Sequence, residues 1–383
     1  MDFMKIAITV PYLYRGEAAD IAAALTTGGF SRVHLRKPDA TSAQVRALVE
    51  GIPAELRPRI TMHYHFDVAL EATLGGVHLN SRNPRPPQGW SGLVSRSAHS
   101  IGELGGDEDY LFISPVFPSI SKPGHLPPFT LQELSSCISR RVVALGGVTP
   151  GQLPQLEAMG FGGAAMLGAA WCAEIDHAAF RLQFITHPTE RHDVVAGAAE
   201  ALRGGCRWVQ LRHKDASPGE LMAEGRELAH LCRQYGATFI VDDHVELASV
   251  LGADGVHLGK NDMPVAQARR ILGPCRIIGA TANTAADVLE ANSAGADYVG
   301  IGPFRFTRTK QNLSPVLGTG GYEAIRRECT GAGIELPAVV IGGITGADIP
   351  EIMATGMDGV AVSSAILSAP SPAEATAEIL RRL

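Results

Sequence analysis

Short β-branched runs alternate along this chain with longer Ala- and Leu-rich stretches that carry helical spacing. In the second half the runs are RLQFIT, RWVQLR, TFIVDD, GVHLG, RIIGAT, YVGIG, AVVIGG and GVAVS. In the first half they are KIAITV, RVHLR, RITMHY, GVHLN, LVSRSA, YLFIS, VVALGG and AAMLG. This alternation predicts repeated βα units and a parallel sheet. Eight units per half close most simply into a barrel, so the expected fold class is α/β, with two tandem (β/α)8 TIM barrels.

The two halves also repeat one another. SPVFPSISK at 114–122 answers GPFRFTRTK at 302–310, GGVHLN at 75–80 answers DGVHLG at 254–259, and ALGGVT at 144–149 answers VIGGIT at 340–345. The pairs keep their order and their separation widens along the chain, as small insertions in a tandem duplication would make it do. Domains are therefore expected at 1–178 and 179–383, with DHAAF (176–180) at the junction. The first copy is short for a barrel, so some of its helices should be reduced to a turn or two or replaced by loops.

Composition fits this picture. The chain has 383 residues, 45% hydrophobic and 19% charged, with no low-complexity tract. No apolar run approaches the roughly 18 residues that span a bilayer, and MDFMKIAITV lacks the order of a secretory signal, so a soluble cytoplasmic protein without membrane partners is expected. The net charge of −6 argues against a nucleic-acid partner but leaves room for a local cationic pocket. The six cysteines stand singly, without the C-x-x-C pairs of zinc ribbons or redox dithiols.

In such barrels the chemistry sits at the C-terminal ends of the strands. Gln210, Arg212 and Lys214 alternate on one run and should share a face, while Asp243 and Asp262 follow the third and fourth strands. A lone strand Arg is commonly a surface ion pair and a lone Asp a helix cap. Together, and with Lys310, they suit Mg²⁺ and a diphosphate. IGGIT, with Gly343, and VSSAI, with Ser363 and Ser364, offer backbone N–H groups for a second, monophosphate anion.

The set Q-L-R-H-K, D-D-H-V-E-L-A, G-V-H-L-G-K-N-D, G-P-F-R-F-T-R-T-K, I-G-G-I and V-S-S-A-I resembles thiamine-phosphate synthase over about 180–383. The resemblance implies Mg²⁺-dependent coupling of hydroxymethylpyrimidine diphosphate to thiazole phosphate, releasing pyrophosphate. It implies that Gln210, Arg212, Lys214 and Lys310 bind the pyrimidine diphosphate and that Asp243 and Asp262 hold the metal. Thr281 would lie near the pyrimidine, Thr307 and Thr309 would face the thiazole, and Gly343, Ser363 and Ser364 would hold its phosphate. Asp242 stands where that family usually has Asn. It could be protonated, paired with His244 or turned toward the metal. His257 reads as a packed barrel residue rather than a base.

The first copy departs where the diphosphate should bind. Gln-x-Arg becomes His34-Leu35-Arg36, Asp242 and Asp243 align with His63 and Tyr64, and Asp262 falls near Arg82 and Asn83. Ser97, Ser119, Ser121, Lys122, Gly147 and Gly168 preserve the thiazole-phosphate half, a pattern that resembles thiazole-tautomerase-like relatives. His34, His63, His65 and His99 are expected to cluster at one rim, where histidine suits proton transfer. Tautomerisation, binding and a purely structural role stay open for this copy. For the whole chain the alternative is a phosphosugar epimerase or isomerase barrel, and homo-oligomerisation is left open.

Overall fold

A computed structural model describes residues 3–118, 127–171, 175–305 and 316–383. The chain divides into two compact units at about residue 172. In the N-terminal unit, β1 (Met4–Ile8), β2 (Arg32–Leu35), β3 (Ile60–Met62), β4 (Gly76–Leu79), β5 (Leu93–Ala98), β6 (Tyr110–Ile113), β7 (Val142–Ala144) and β8 (Gly163–Met166) pair in parallel and close as β8 meets β1. In the C-terminal unit the barrel comprises β9 (Leu182–Ile185), β10 (Trp208–Leu211), β11 (Thr238–Asp242), β12 (Gly255–Leu258), β13 (Ile277–Ala282), β14 (Tyr298–Ile301), β15 (Ala338–Ile341) and β16 (Gly359–Val362), closing from β16 to β9. Both halves are therefore (β/α)8 barrels.

Alternation within each strand builds the core. On β10, Val209 and Leu211 pack outward beneath the helices, while Trp208 joins an interior cluster with Ile240, Ile277, Tyr298 and Val339. Gln210 lies one layer above Trp208 on the same inward face, as a period of two requires. The four-residue helix His177–Phe180 belongs to this barrel: the Phe180 ring meets Trp208 and Tyr298 edge-on, with centroids 5.3 and 5.4 Å apart. Its N-cap Asp176 accepts hydrogen bonds from the Ala178 and Ala179 N–H groups.

The helices differ between the copies. Pro218–Tyr235 spans 18 residues behind a Ser217–Glu220 capping box. Its N-terminal counterpart, Ser42–Glu50, has nine, and Phe66–Glu71, Leu131–Ser135 and Leu153–Ala158 are reduced to one or two turns. Among the described residues between β4 and β5 no helix forms. No helix among the described residues is long and apolar enough to cross a membrane.

Candidate active site

The C-terminal rim of the second barrel brings most of the expected residues together. Gln210 is 3% exposed, and its Nε2 donates to Asp242 Oδ1 at 2.5 Å. The Arg212 Nε lies 3.3 Å from the other oxygen, Oδ2. The geometry therefore favours an arrangement outside the three considered for Asp242: its carboxylate is shared between Gln210 and Arg212. His244 donates its backbone N–H to the Asp242 carbonyl at 2.7 Å. Arg212 is anchored at its backbone, where its N–H donates to Thr186 Oγ1 at 2.8 Å.

Asp243 and Asp262 meet as expected. Asp243 sits in the left-handed region (φ 62°), which Asp tolerates better than most residues, and its N–H donates to the His257 carbonyl. Burial, the charge of Asp242 and a side-chain hydrogen bond with Asp262 push the Asp243 carboxyl up to about 7. Asp262 is held by the Gly259 N–H, which donates to its Oδ2 at 2.7 Å. Two carboxylates drawn together and partly desolvated form a site that a divalent cation neutralises, so the donor set fits Mg²⁺.

His257 is 8% exposed and lies within hydrogen-bond distance of the Tyr298 hydroxyl (3.0 Å) and Thr281 Oγ1 (3.2 Å). It is a packed interior residue that orients Thr281. Lys214 differs from expectation: β10 ends at Leu211, so Lys214 lies in the following turn, exposed, rather than on the strand. Gly342 and Gly343 carry φ of 101° and 67°, and Ser363 precedes the short helix Ser364–Leu367. Lys310, Thr307 and Thr309 lie outside the described residues, as do Ser119, Ser121 and Lys122.

Two features went unseen in the sequence. His187, just beyond β9, lies 2.6 Å through Nδ1 from Ser363 Oγ, and burial together with Arg212 holds its imidazole below the ordinary range. Its place at a strand end was the available signal. Arg305 grips Asp348 through both guanidinium nitrogens (2.5 and 2.6 Å), tying the loop after β14 to the turn after β15. That pairing has no local sequence signature.

The first barrel answers position for position. Leu35 pairs with Met62 as Leu211 pairs with Val241, which sets His34 against Gln210 and His63 against Asp242. His34 Nδ1 lies 2.9 Å from His63 Nε2, and His34 Nε2 lies 2.7 Å from the Tyr110 hydroxyl. His78, counterpart of His257, reaches Ser95 Oγ (2.9 Å) and Ser97 Oγ (3.1 Å). The Tyr hydroxyl has changed partner for a steric reason. At Gly279 an added Cβ would fall 2.2 Å from the Tyr298 ring, so glycine admits that ring beside His257. Ser95 fills the corresponding place in the first barrel and bonds His78 itself, while the Tyr110 hydroxyl bonds His34.

The expected histidine cluster is corrected accordingly. His34 and His63 come together with His78, which sequence reasoning left out, inside the barrel rather than at its rim. Among the described residues these three have ligand atoms within 4.8 Å of one another. His65 instead meets Ser42 Oγ and the Lys37 carbonyl, and His99 the Ser114 carbonyl. The His63 and His78 rings stack, with centroids 4.1 Å apart. Burial holds His34 and His63 well below the ordinary range and His78 at about 3. Arg36 donates its N–H to Thr9 Oγ1 at 3.0 Å, as Arg212 does to Thr186. Gly146 and Gly147 repeat the left-handed pair of Gly342 and Gly343, with φ of 89° and 67°, and Gly168 opens a short 3₁₀ turn after β8.

Fold and rim together define a tandem (β/α)8-barrel transferase. The family model for thiamine monophosphate synthase matches twice, at residues 6–170 and 182–366, and the chain belongs to that family. It is similar to thiamine-phosphate synthase of Bacteroides fragilis, 57% identical over 199 residues that make up 52% of this chain and 98% of the relative. Thiamine-phosphate synthase of Flavobacterium psychrophilum is 40% identical over 203 residues, 53% of this chain and 98% of that one. A solved thiamine phosphate pyrophosphorylase from Pyrococcus furiosus is 36% identical, with a TM-score of 0.49, covering 54% of this chain and 96% of that one.

Proposed function

We propose that the second barrel couples hydroxymethylpyrimidine diphosphate to thiazole phosphate with Mg²⁺, giving thiamine phosphate and pyrophosphate. The observation that carries this reading is the contact of Asp243 with Asp262 beside Arg212. These carboxylates would hold Mg²⁺, which neutralises charge on the leaving diphosphate. Arg212, Lys214 and Lys310 bind the same diphosphate. As the methylene C–O bond breaks, its electron pair leaves with pyrophosphate, and the thiazole nitrogen donates its lone pair to the carbon. No side-chain nucleophile is needed. Preorganised donors to the departing oxygens are worth about 3 to 4 kcal/mol each. Thr281, oriented by His257, lies toward the pyrimidine. The resemblance assigns Thr307 and Thr309 to the thiazole, and Gly343, Ser363 and Ser364 would hold its phosphate, with His187 fixing the Ser363 hydroxyl.

In this reading the first barrel binds thiazole phosphate and lacks the carboxylates for a metal diphosphate, and its His34–His63 pair is the candidate for tautomerising that ligand. The protein is read as cytoplasmic. Pyrophosphate release from the two substrates, strictly dependent on Mg²⁺, tests the coupling. An isomerase working on a phosphosugar would release none.

A further inference from the structure

Three imidazoles meet inside the first barrel, from β2, the end of β3 and β4. His34, His63 and His78 each offer a ring nitrogen, and these nitrogens lie within 4.8 Å of one another. Ligand nitrogens around a tetrahedral Zn²⁺ stand about 3.4 Å apart when each bond is about 2.0–2.1 Å, so small ring rotations close this set on an ion. At the counterpart positions of the second barrel stand Gln210, Asp242 and His257, so the first barrel carries imidazoles where its twin has an amide and a carboxylate. An apolar side chain would fill the same space without the cost of burying polar nitrogens. The sheet holds the three in place, since His34 pairs with Thr61 across β2 and β3, and Met62 with Val77 across β3 and β4.

The outer hydrogen bonds also suit ligation. A metal-bound imidazole donates the N–H of its other nitrogen, and the acceptor of that bond orients the ring. While His34 Nδ1 faces His63 Nε2 at 2.9 Å, His34 Nε2 meets the Tyr110 hydroxyl at 2.7 Å. The buried Ser95 Oγ meets His78 Nδ1 at 2.9 Å, and Ser97 Oγ meets Nε2 at 3.1 Å. Ser97 lies two residues nearer the mouth along β5, so its hydroxyl is the one an ion displaces.

Donor chemistry chooses the ion. Imidazole nitrogen suits Zn²⁺ and its first-row neighbours, whereas Mg²⁺ prefers oxygen. All three donors are neutral when they ligate, and Arg32, whose Nη1 donates to Thr61 Oγ1 at 3.1 Å, adds positive charge near His34. A divalent ion there stays uncompensated unless its fourth ligand is an anion. His63 is the most exposed of the three, at 7%, and lies just past the end of β3, which sets the open position toward the mouth.

We propose that His34, His63 and His78 form a Zn²⁺ site of three neutral imidazoles, whose fourth position opens to the barrel mouth and takes an anionic ligand. It uses no residue of the second barrel and does not rest on the coupling reaction. The ion occupies the nitrogens that His34 and His63 turn toward each other, so ion binding and proton transfer by that pair exclude one another.

The test uses the full chain, stripped by a chelator and titrated with Zn²⁺ in excess Mg²⁺, which occupies the rim carboxylates of the second barrel. One tight equivalent of Zn²⁺ should bind. Co²⁺ in its place should show the intense visible bands of four-coordination, and azide should shift them by entering the open position. His78→Gln should weaken Zn²⁺ by about a hundredfold or more, beyond the cost of losing an outer partner. Should His78→Gln fail to fold, Tyr110→Phe keeps all three imidazoles and should weaken Zn²⁺ by about tenfold to a hundredfold. Absence of a tight equivalent, unchanged affinity in both variants, or the weak bands of an octahedral oxygen site overturns the proposal. Bands that azide leaves unmoved overturn the open fourth position.

Discussion

Asp243 and Asp262 are drawn together at the mouth of the second barrel, where burial, the charge of Asp242 and the side-chain hydrogen bond with Asp262 raise Asp243 to about 7. A proton or a cation must settle that contact. Because the folded state holds its proton more tightly than the ordinary carboxyl at 3.8, the stability this group contributes is complete below that value. Without a cation it is lost as the pH rises through about 7. Mg²⁺ should therefore raise the melting temperature more at about pH 8 than at about pH 6, and Asp243→Asn should abolish that difference. An equal Mg²⁺ effect at both pH values would contradict the metal assignment.

Asp262→Asn separates metal binding from folding. Its oxygen can still accept the Gly259 N–H, so melting should be nearly unchanged, while Mg²⁺-dependent pyrophosphate release falls by about a hundredfold or more. Turnover at the wild-type rate would remove Asp262 from the site.

The three imidazoles of the first barrel make it acid-sensitive. His34, His63 and His78 are held below the ordinary 6.5, His78 at about 3. Their neutral forms contribute fully above about pH 6.5, and that contribution drains away as the pH falls toward about 3. Melting of the N-terminal barrel should drop between about pH 7 and about pH 5, and His78→Gln should flatten the slope. Ring signals that titrate normally near pH 6.5 by NMR would contradict this.

Phe180 sets the boundary of an autonomous synthase fragment. Residues 175–383 should fold and retain the coupling activity, because the helix that carries Phe180 against Trp208 and Tyr298 is included. Starting at 181 removes that ring, and losing a buried Phe costs about 3 to 5 kcal/mol. Circular dichroism melts of the two fragments compare them directly.

The repeated left-handed glycine pairs predict the stoichiometry of binding. Gly146–Gly147 and Gly342–Gly343 present matching backbones, whereas among the described residues the pair of rim carboxylates belongs to the second barrel. Calorimetry on the full chain should count two thiazole phosphates and, with Mg²⁺, one pyrimidine diphosphate. A single thiazole phosphate would mark the first barrel as structural.

The sequence alone determined the two barrels and the placing of Asp243, Asp262, Arg212 and the glycine turns at strand ends. Strand periodicity, glycine turns and the order of repeated peptides are local properties, read from neighbours along the chain. Closure of the barrel then carries those ends to one rim whatever the detail of packing. Tertiary structure alone decided which side chains touch. The Asp242 carboxylate found Gln210 and Arg212 on the adjacent strand and the turn that follows it, and the pairing of Leu211 with Val241 puts them level. His78 joined His34 and His63 because alternate residues of neighbouring strands meet inside a closed barrel, an outcome no window of sequence contains. Whether a tyrosine bonds His257 or His34 turned on a single Cβ at Gly279 or Ser95. Such contacts depend on register and volume across strands far apart in the chain, so they exist only once the barrel has closed.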